Sequence, residues 1–437
     1  MEKRKIVVIE CTSSSANYIK DIMDEGYEPV LMEIRPDEES IAYTMSHELS
    51  IENFFTDLYP DLKRPQVIAM PKNYDDALAL LRELDPVLVI PGNDDGIIPA
   101  TRLSHDLGLI GNDPQNLSKM RNKAICQQAL EKAGLRSIRG RIVSSMAEAQ
   151  DFYQSLDSEG IVIKPISGGA SVGVHICEDK KTFEDAFKAE LALSSDHTGV
   201  AGSLLLQEYI DGTEYIVNTV SCRGKHKVTA VMQYEKKLIP GKARIYQTMR
   251  IISPDLEISR SLIDYTLKML DAIGITYGPV HTEIMVDSKG PVLIEANCRP
   301  CGALMRAMWL DQVIGNHETD VSLQAYLHPD DFLSDPRTIL MCGKKHGIIK
   351  LLAIDHDMFV KENMIGAAFK DIPGFVYALG MGNGRPYTQT IDLSTASGMI
   401  FLAHEDESVL QRSLDQIDLR AKTHPETIYK TVDETEA

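Results

Sequence analysis

The chain is poor in aromatic side chains and in positive charge. Among 437 residues there is one tryptophan, and Phe, Trp and Tyr together make up 6%. Lys and Arg number 45 against 64 Asp and Glu, a net charge of −19 that opposes adhesion to nucleic acid or anionic membranes and favours a small-molecule substrate. No apolar run is long enough to span a bilayer. The N-terminus MEKRKIVVIECTSSS lacks the long apolar core and small-residue cleavage site of a secretory leader, and the seven cysteines are scattered and odd in number. A reducing cytoplasm is the expectation. Cys298 and Cys301 form a C-x-x-C without a second pair or a His pair at zinc spacing, so they read as reduced structural thiols. Nucleotide fingerprints are missing too: CTSSSAN lacks G-x-G-x-x-G, so Ser13 to Ser15 read as helix caps, and no G-K-[ST] closes a Walker A loop. No Ser-His-Asp or Cys-His set for nucleophilic catalysis stands out.

What is present begins as alternating strands and helices. The runs KIVVIE, PVLMEI, QVIAM and VLVIPG, with helical stretches between them, predict a parallel α/β lobe. Ligands in such sheets bind beyond the carboxyl ends of the strands, so PGNDDG could present Asp94 or Asp95, or use them to cap the next helix. The spacing predicts one helix over 118–135, with Lys119 and Lys123 a turn apart on a solvated face. In GIVIKPISGGASVGVHIC a strand carries Lys164, and Ser167, Gly168, Gly169, Ser171 and Gly173 follow in a loop able to cradle phosphate on backbone N–H groups; a plain hairpin fits equally. Residues 204–220 read as strand, turn, strand, with Glu208 and Glu214 beside the turn. PGKARIYQTMR is expected to be a loop carrying Lys242, Arg244 and Arg250. A helix over 253–274, helical spacing over 303–327 with Trp309 in the core, and a closing α+β lobe from about 341 complete the chain.

The most informative stretch is GPVHTEIMVDSKGPVLIEANCRPCGA, residues 278–303. Two β-branched runs around Asp287 to Gly290 predict an antiparallel hairpin. Side chains alternate along a strand, so Glu295, Asn297 and Arg299 share a face, and Glu283 could lie opposite. Two carboxylates and an amide oxygen are hard ligands of the kind Mg²⁺ takes together with substrate phosphates and water.

Taken in order, these pieces resemble the ATP-grasp superfamily, most closely its carboxylate-amine ligases of the L-amino acid ligase type. The resemblance is carried by Lys119 before AGL, VIKP with its glycine loop, QEYIDGTEY, HTEIM and IEANCR, and is strongest over residues 85–330. It implies an ATP-grasp fold mixing α/β and α+β parts: an N-terminal parallel α/β lobe over 1–117, an ATP-grasp domain over 118–335 with a mobile lid at about 120–203, and a C-terminal α+β lobe over 336–437. It makes Glu283, Glu295 and Asn297 ligands of Mg²⁺, two ions in all, with Mn²⁺ able to substitute. Lys119 and Lys164 contact ATP phosphates under a loop of residues 167–173. Gln207, Glu208, Tyr209 and Ile210 form the adenine hinge, and Glu214 the ribose ligand. Arg299 holds the substrate carboxylate and Asp94 its amino group, with Gly302 and Ala303 beside them.

The implied reaction is ATP-dependent amide formation through an acyl phosphate, releasing ADP and phosphate. The alternatives are a carboxylase-like enzyme acting on another carboxylate or bicarbonate, and a nucleotide-binding regulator without catalysis. Some dipeptide ligases carry a bulky aromatic four residues after the motif arginine; here Ala303 makes that pocket roomier. A histidine common in the preceding substrate loop is also absent, leaving Arg244 or Tyr246 to replace it. Biotin carboxylases continue the motif with Gln-Val-Glu-His, whereas this chain has Pro300 to Ala303. Small-molecule substrates and a homodimer complete the expectation.

Overall fold

β1 (Lys5–Ile9), β2 (Glu28–Glu33), β3 (Gln66–Ala69) and β4 (Pro86–Pro91) pair in parallel in the order β3-β2-β1-β4. They belong to a computed structural model that describes residues 3–34, 48–156, 160–166, 173–193, 202–238, 244–361, 363–381, 385–390 and 395–430. Val7, Ile9 and Val30 are buried on one face of this sheet, Ile6, Val8 and Leu31 in a separate core on the other. Burial on both faces explains why β1, β2 and β4 read as unbroken apolar runs, while β3 is an exposed edge. At the end of β4 a Cβ on Gly92 would lie 2.4 Å from the carbonyl oxygen of Glu10, so only glycine allows this approach to β1. In the turn before the next helix (Ile97–Asp106), Asn93 Oδ1 accepts from the N–H groups of Asp95 at 2.9 Å and Gly96 at 3.2 Å, and the helix itself starts at Gly96 without a side-chain cap.

The helix expected over 118–135 is two helices, Leu117–Arg121 and Lys123–Lys132. Asn122 interrupts them with extended backbone, its Oδ1 accepting from Ala124 N at 3.0 Å and Ile125 N at 3.1 Å. A small antiparallel sheet follows, with β5 (Gly140–Val143), β6 (Ile161–Lys164), β7 (His175–Cys177) and β8 (Leu204–Glu208) in the order β5-β8-β6-β7. Two helices, Met146–Gln154 and Lys180–Leu193, back it with Phe152, Phe183 and Phe187.

The rest is organised by an eight-stranded antiparallel sheet. β9 (Thr213–Cys222), β10 (Lys225–Leu238), β11 (Arg244–Ile251), β12 (Gly278–Asp287) and β13 (Gly290–Asn297) are joined by β14 (His346–Leu352). Then come β15 (Met358–Val360), β16 (Phe375–Gly380), β17 (Arg385–Tyr387), β18 (Gly398–His404) and β19 (Tyr429–Lys430). The large sheet runs β13-β12-β9-β10-β11-β14-β18-β16, and β17-β15-β19 form a separate small one. Its hydrogen bonding is therefore continuous across residue 336. The stretch expected as a cationic loop is largely strand β11, because Tyr246, Met249 and Ile251 pack into the sheet core. Arg250 pairs with Glu407 at 2.9 Å, and Lys242 lies outside the described residues.

One face of the large sheet is covered by the helix Glu257–Ile273, which buries Leu262, Met269 and Leu270 and ends at Gly274 with φ +80°. The other face holds Trp309, fully buried, with Nε1 donating to the carbonyl of Leu402 at 2.9 Å. The helical spacing over 303–327 becomes two helices, Ala307–Val313 and Glu318–Leu327. Cys298 and Cys301 are free and buried. Among the described residues no helix is long and apolar enough to cross a membrane.

Candidate active site

The hairpin register sets Glu283 of β12 directly opposite Glu295 of β13, and His281 opposite Asn297. On the other side of β12, His281 lies opposite Asn218 of β9. Above this floor stands the small sheet, and between them is a cleft lined by both glutamates, Lys123, Lys164 and Glu214. Its apolar walls come from both sides: Val162 and Ile176 from the small sheet, Ile210, Met285 and Ile294 from the large sheet and its approach. Ile176 is 54% exposed, a large apolar side chain facing a space suited to a flat ring. Gln207, Glu208, Tyr209 and Ile210 line the same wall where β8 runs out, with Glu208 Oε1 accepting from Arg139 N at 2.9 Å.

Each acidic group of the cleft has a donor of its own. Glu295 pairs with Lys123 at 2.9 Å. Glu214 is held by Lys236 and by the Tyr246 hydroxyl, which donates to Oε1 at 3.2 Å. Burial raises the Glu214 carboxyl and Lys236 opposes it, with a net rise. Glu283 Oε1 lies 3.3 Å from His281 Nε2, and His281 Nδ1 lies 2.9 Å from Asn218 Oδ1. Burial raises the Glu283 carboxyl, but His281 and Arg299 hold it below its ordinary value. Burial, and then the Lys123 charge, lower the Lys164 ammonium.

A second cluster sits where β13 leaves the sheet. Arg299 donates to Asp94 Oδ2 through Nε at 3.0 Å and Nη2 at 2.7 Å, and Arg121 donates to Oδ1 at 3.2 Å. Burial raises the Asp94 carboxyl and the two guanidiniums outweigh it, so it stays below the usual carboxylate range. Beyond Arg299, Ala303 and Leu304 both take left-handed backbone, φ +63° and +52°. Ser13 Oγ accepts from Leu304 N at 3.1 Å, while Ser14 Oγ accepts from Met305 N at 2.8 Å and donates to Gly302 O at 2.7 Å. The expected helix caps Ser13 and Ser14 instead clamp this loop; the short turn they occupy has no side-chain cap from Thr12.

Most of the anticipated residues meet in these two clusters. Glu283, Glu295, Lys164, Gln207 to Ile210, Glu214 and Tyr246 line the cleft, with Asp94 and Arg299 beyond it. Lys119 does not line the cleft: its Nζ donates to Asn116 Oδ1 at 3.1 Å, and it borders a neighbouring cavity shared with Glu295 and Asn297. Gly173 is left-handed at φ +70°. Ser167, Gly168, Gly169 and Ser171 lie outside the described residues, as does the side chain of Arg244. Sequence reasoning put Lys123 on a solvated face, whereas it is largely buried in the cleft against Glu295, and it overlooked Lys236, Arg121 and the Asn218–His281 pair. Asn122 was the available signal for Lys123, since a capping residue inside a helical pattern starts a new helix and redirects its first residue.

Oxygen donors fit a magnesium ion here. Among the described residues no three His, Cys, Asp or Glu side chains cluster to hold a metal. An ion would thus take the two facing carboxylates and the buried Asn297, with phosphate oxygens and water completing its shell.

Comparison with known proteins agrees with this geometry. Residues 158–307 match the family model of the ATP-grasp domain. In sequence the chain is 25% identical to dapdiamide A synthase of Enterobacter agglomerans over 355 residues, 77% of this chain and 80% of that one. It is 26% identical to alanine–anticapsin ligase of Bacillus subtilis over 234 residues, 49% of this chain and 48% of that one. In structure it resembles the L-amino acid ligase of Bacillus licheniformis, with TM-score 0.71, 15% identity and coverage of 96% and 98% of the two chains. An N5-carboxyaminoimidazole ribonucleotide synthetase solved as an ADP complex gives TM-score 0.66 at 16% identity, covering 96% of this chain and 98% of that one. Residues 158–307 therefore carry an ATP-grasp domain, and the relatives compared above are named as a synthase and as ligases.

Proposed function

We propose that this protein is an ATP-dependent carboxylate-amine ligase that joins an amino acid, or a related carboxylate, to an amine through an acyl phosphate, releasing ADP and phosphate. The observation that carries the reading is the Asp94–Arg299 pair, 2.7 Å apart, at the end of the strand bearing Glu295 and Asn297. A guanidinium beside a carboxylate is complementary to an α-amino acid, whose carboxylate suits Arg299 and whose ammonium suits Asp94.

Phosphoryl transfer of this kind is catalysed by alignment and charge neutralisation rather than by a protein nucleophile. Lys164 and Lys123 are placed to meet the phosphates, with Lys119 behind Glu295. The apolar walls take the adenine, Gln207 to Ile210 offer its hinge, and Glu214 with Tyr246 meets the ribose side. Magnesium held by Glu283, Glu295 and Asn297 would neutralise charge on the phosphate oxygens. The substrate carboxylate oxygen attacks the γ-phosphorus, ADP leaves, and the amine then displaces phosphate from the acyl carbon. Arg299 orients the first substrate for both steps, next to Gly302 and Ala303. Closure of the 120–203 lid over the cleft excludes water from the acyl phosphate.

The reading also includes the boundaries 1–117, 118–335 and 336–437, a second magnesium ion, manganese substitution, a homodimer and a cytoplasmic location. Purified protein incubated with ATP, Mg²⁺ and pooled amino acids should release phosphate and form a new amide detectable by mass spectrometry. Neither product in that assay would sink the proposal.

A further inference from the structure

Asn218 and His281, which the reaction scheme leaves unused, form a short hydrogen-bonded row with Glu283 under the cleft. His281 and Asn218 are buried, 4% and 3% exposed, and each satisfies the other across the β9–β12 ladder at 2.9 Å. Buried polar groups of this kind are costly without a partner, so the pair holds its geometry. His281 precedes Glu283 by two residues and therefore shares its face of β12, and its other ring nitrogen, Nε2, lies 3.3 Å from Glu283 Oε1 on a ring that Cys301 also contacts.

The direction of that last bond does not depend on how the Asn218 amide is turned. With Oδ1 toward the ring, Nδ1 carries a hydrogen; with Nδ2 toward it, Nδ1 accepts. A carboxylate only accepts, so in both cases the bond to Glu283 requires a hydrogen on Nε2. We propose that His281, braced by Asn218, is a positioning residue that fixes Oε1 of Glu283 and leaves its other oxygen for the metal. This rests on the reading of Glu283 as a magnesium ligand. Partners that orient metal-binding carboxylates typically change metal affinity 10–100-fold when removed.

The test needs no knowledge of the ligase substrates. Mn²⁺ binding in the presence of ADP, followed by electron paramagnetic resonance, and ADP affinity across a Mg²⁺ series, followed by calorimetry, report the site directly. His281→Leu should weaken Mn²⁺ binding about 10–100-fold. His281→Gln, which retains a donor amide, should stay within about threefold of wild type, a rescue that a purely structural role does not give. Adding His281→Leu to Glu283→Gln should produce no further loss. Wild-type affinity in His281→Leu alongside a loss in Glu283→Gln overturns the positioning role alone. Wild-type affinity in both removes the metal assignment of Glu283. If His281→Leu fails to fold, His281→Asn replaces it, because its shorter amide can satisfy Asn218 without reaching Glu283, and the same outcomes decide.

Discussion

Lys123 and Glu295 are ion-paired on the floor of the cleft, Nζ to Oε1 at 2.9 Å, with side chains only 15% and 20% exposed. A nucleotide phosphate would compete for the same ammonium, so on the proposed reading the pair loosens when ATP binds. Lys123→Met should therefore raise the KM for ATP about tenfold or more, as expected for one charge-assisted hydrogen bond of about 1.5–3 kcal/mol. Phosphate release against ATP concentration measures it; an unchanged KM would return Lys123 to a structural role.

Asp94 is held by two guanidiniums and lies outside the nucleotide cleft. Asp94→Asn should raise the KM for the amino-acid substrate about tenfold or more and leave ADP binding unaltered, since one charged contact is weakened. Arg299→Ala should lower turnover by about 10²-fold or more, because it removes the group aligning the carboxylate for both steps. Nucleotide binding in each variant, compared by calorimetry, separates the two sites. A loss of ADP affinity in Asp94→Asn would contradict the division.

Burial pushes the Glu318 carboxyl up to about 7 from an ordinary 4.5, although its Oε2 accepts from Cys301 N at 2.7 Å. Between those values the folded chain keeps a proton that the unfolded chain releases. The resulting stability is complete below about pH 4.5 and is lost as pH rises through about 7, a change of about 3 kcal/mol at most. Glu10, raised to about 7 by burial, acts in the same direction. Urea unfolding at pH 5 and pH 8 should show the Glu318→Gln variant gaining on wild type as pH rises. A difference that stays constant with pH would rule out this origin.

Trp309 fills the core between the large sheet and its covering segment and stacks edge-on against Phe401 at 5.5 Å. Trp309→Ala should cost about 3–5 kcal/mol of stability, read as a lower midpoint in urea. Any folded fraction should still bind ADP, because Trp309 does not line the cleft.

Local patterns carried much of this structure. Apolar runs without alternation marked the doubly covered strands β1, β2 and β4, and the turn residues Asp287 to Gly290 marked the hairpin, but the irregularity at Ile294 that brings Glu283 opposite Glu295 left no mark in the sequence. What escaped was decided at a distance. Lys236 enters the site because β10 runs beside β9, which bears Glu214, and no spacing along the chain relates those two residues. Arg121 and Arg299 meet at Asp94 only once three segments are packed together. PGKARIYQTMR misled because Pro240 and Gly241 announce a turn, while the apolar positions after Arg244 answer to β10 and β14 on either side.

Ser13 and Ser14 hold the loop at Gly302 to Met305 through bonds between residues 288 and 291 apart in sequence. During synthesis the N-terminal lobe leaves the ribosome long before that loop exists. It can therefore serve as a mould, ready when Ala303 and Leu304 arrive needing left-handed backbone that ordinary residues avoid. The shape of the substrate end of the site is in this sense written at the start of the chain, and a circular permutant opening between Ser14 and Asn17 would have to cast it last.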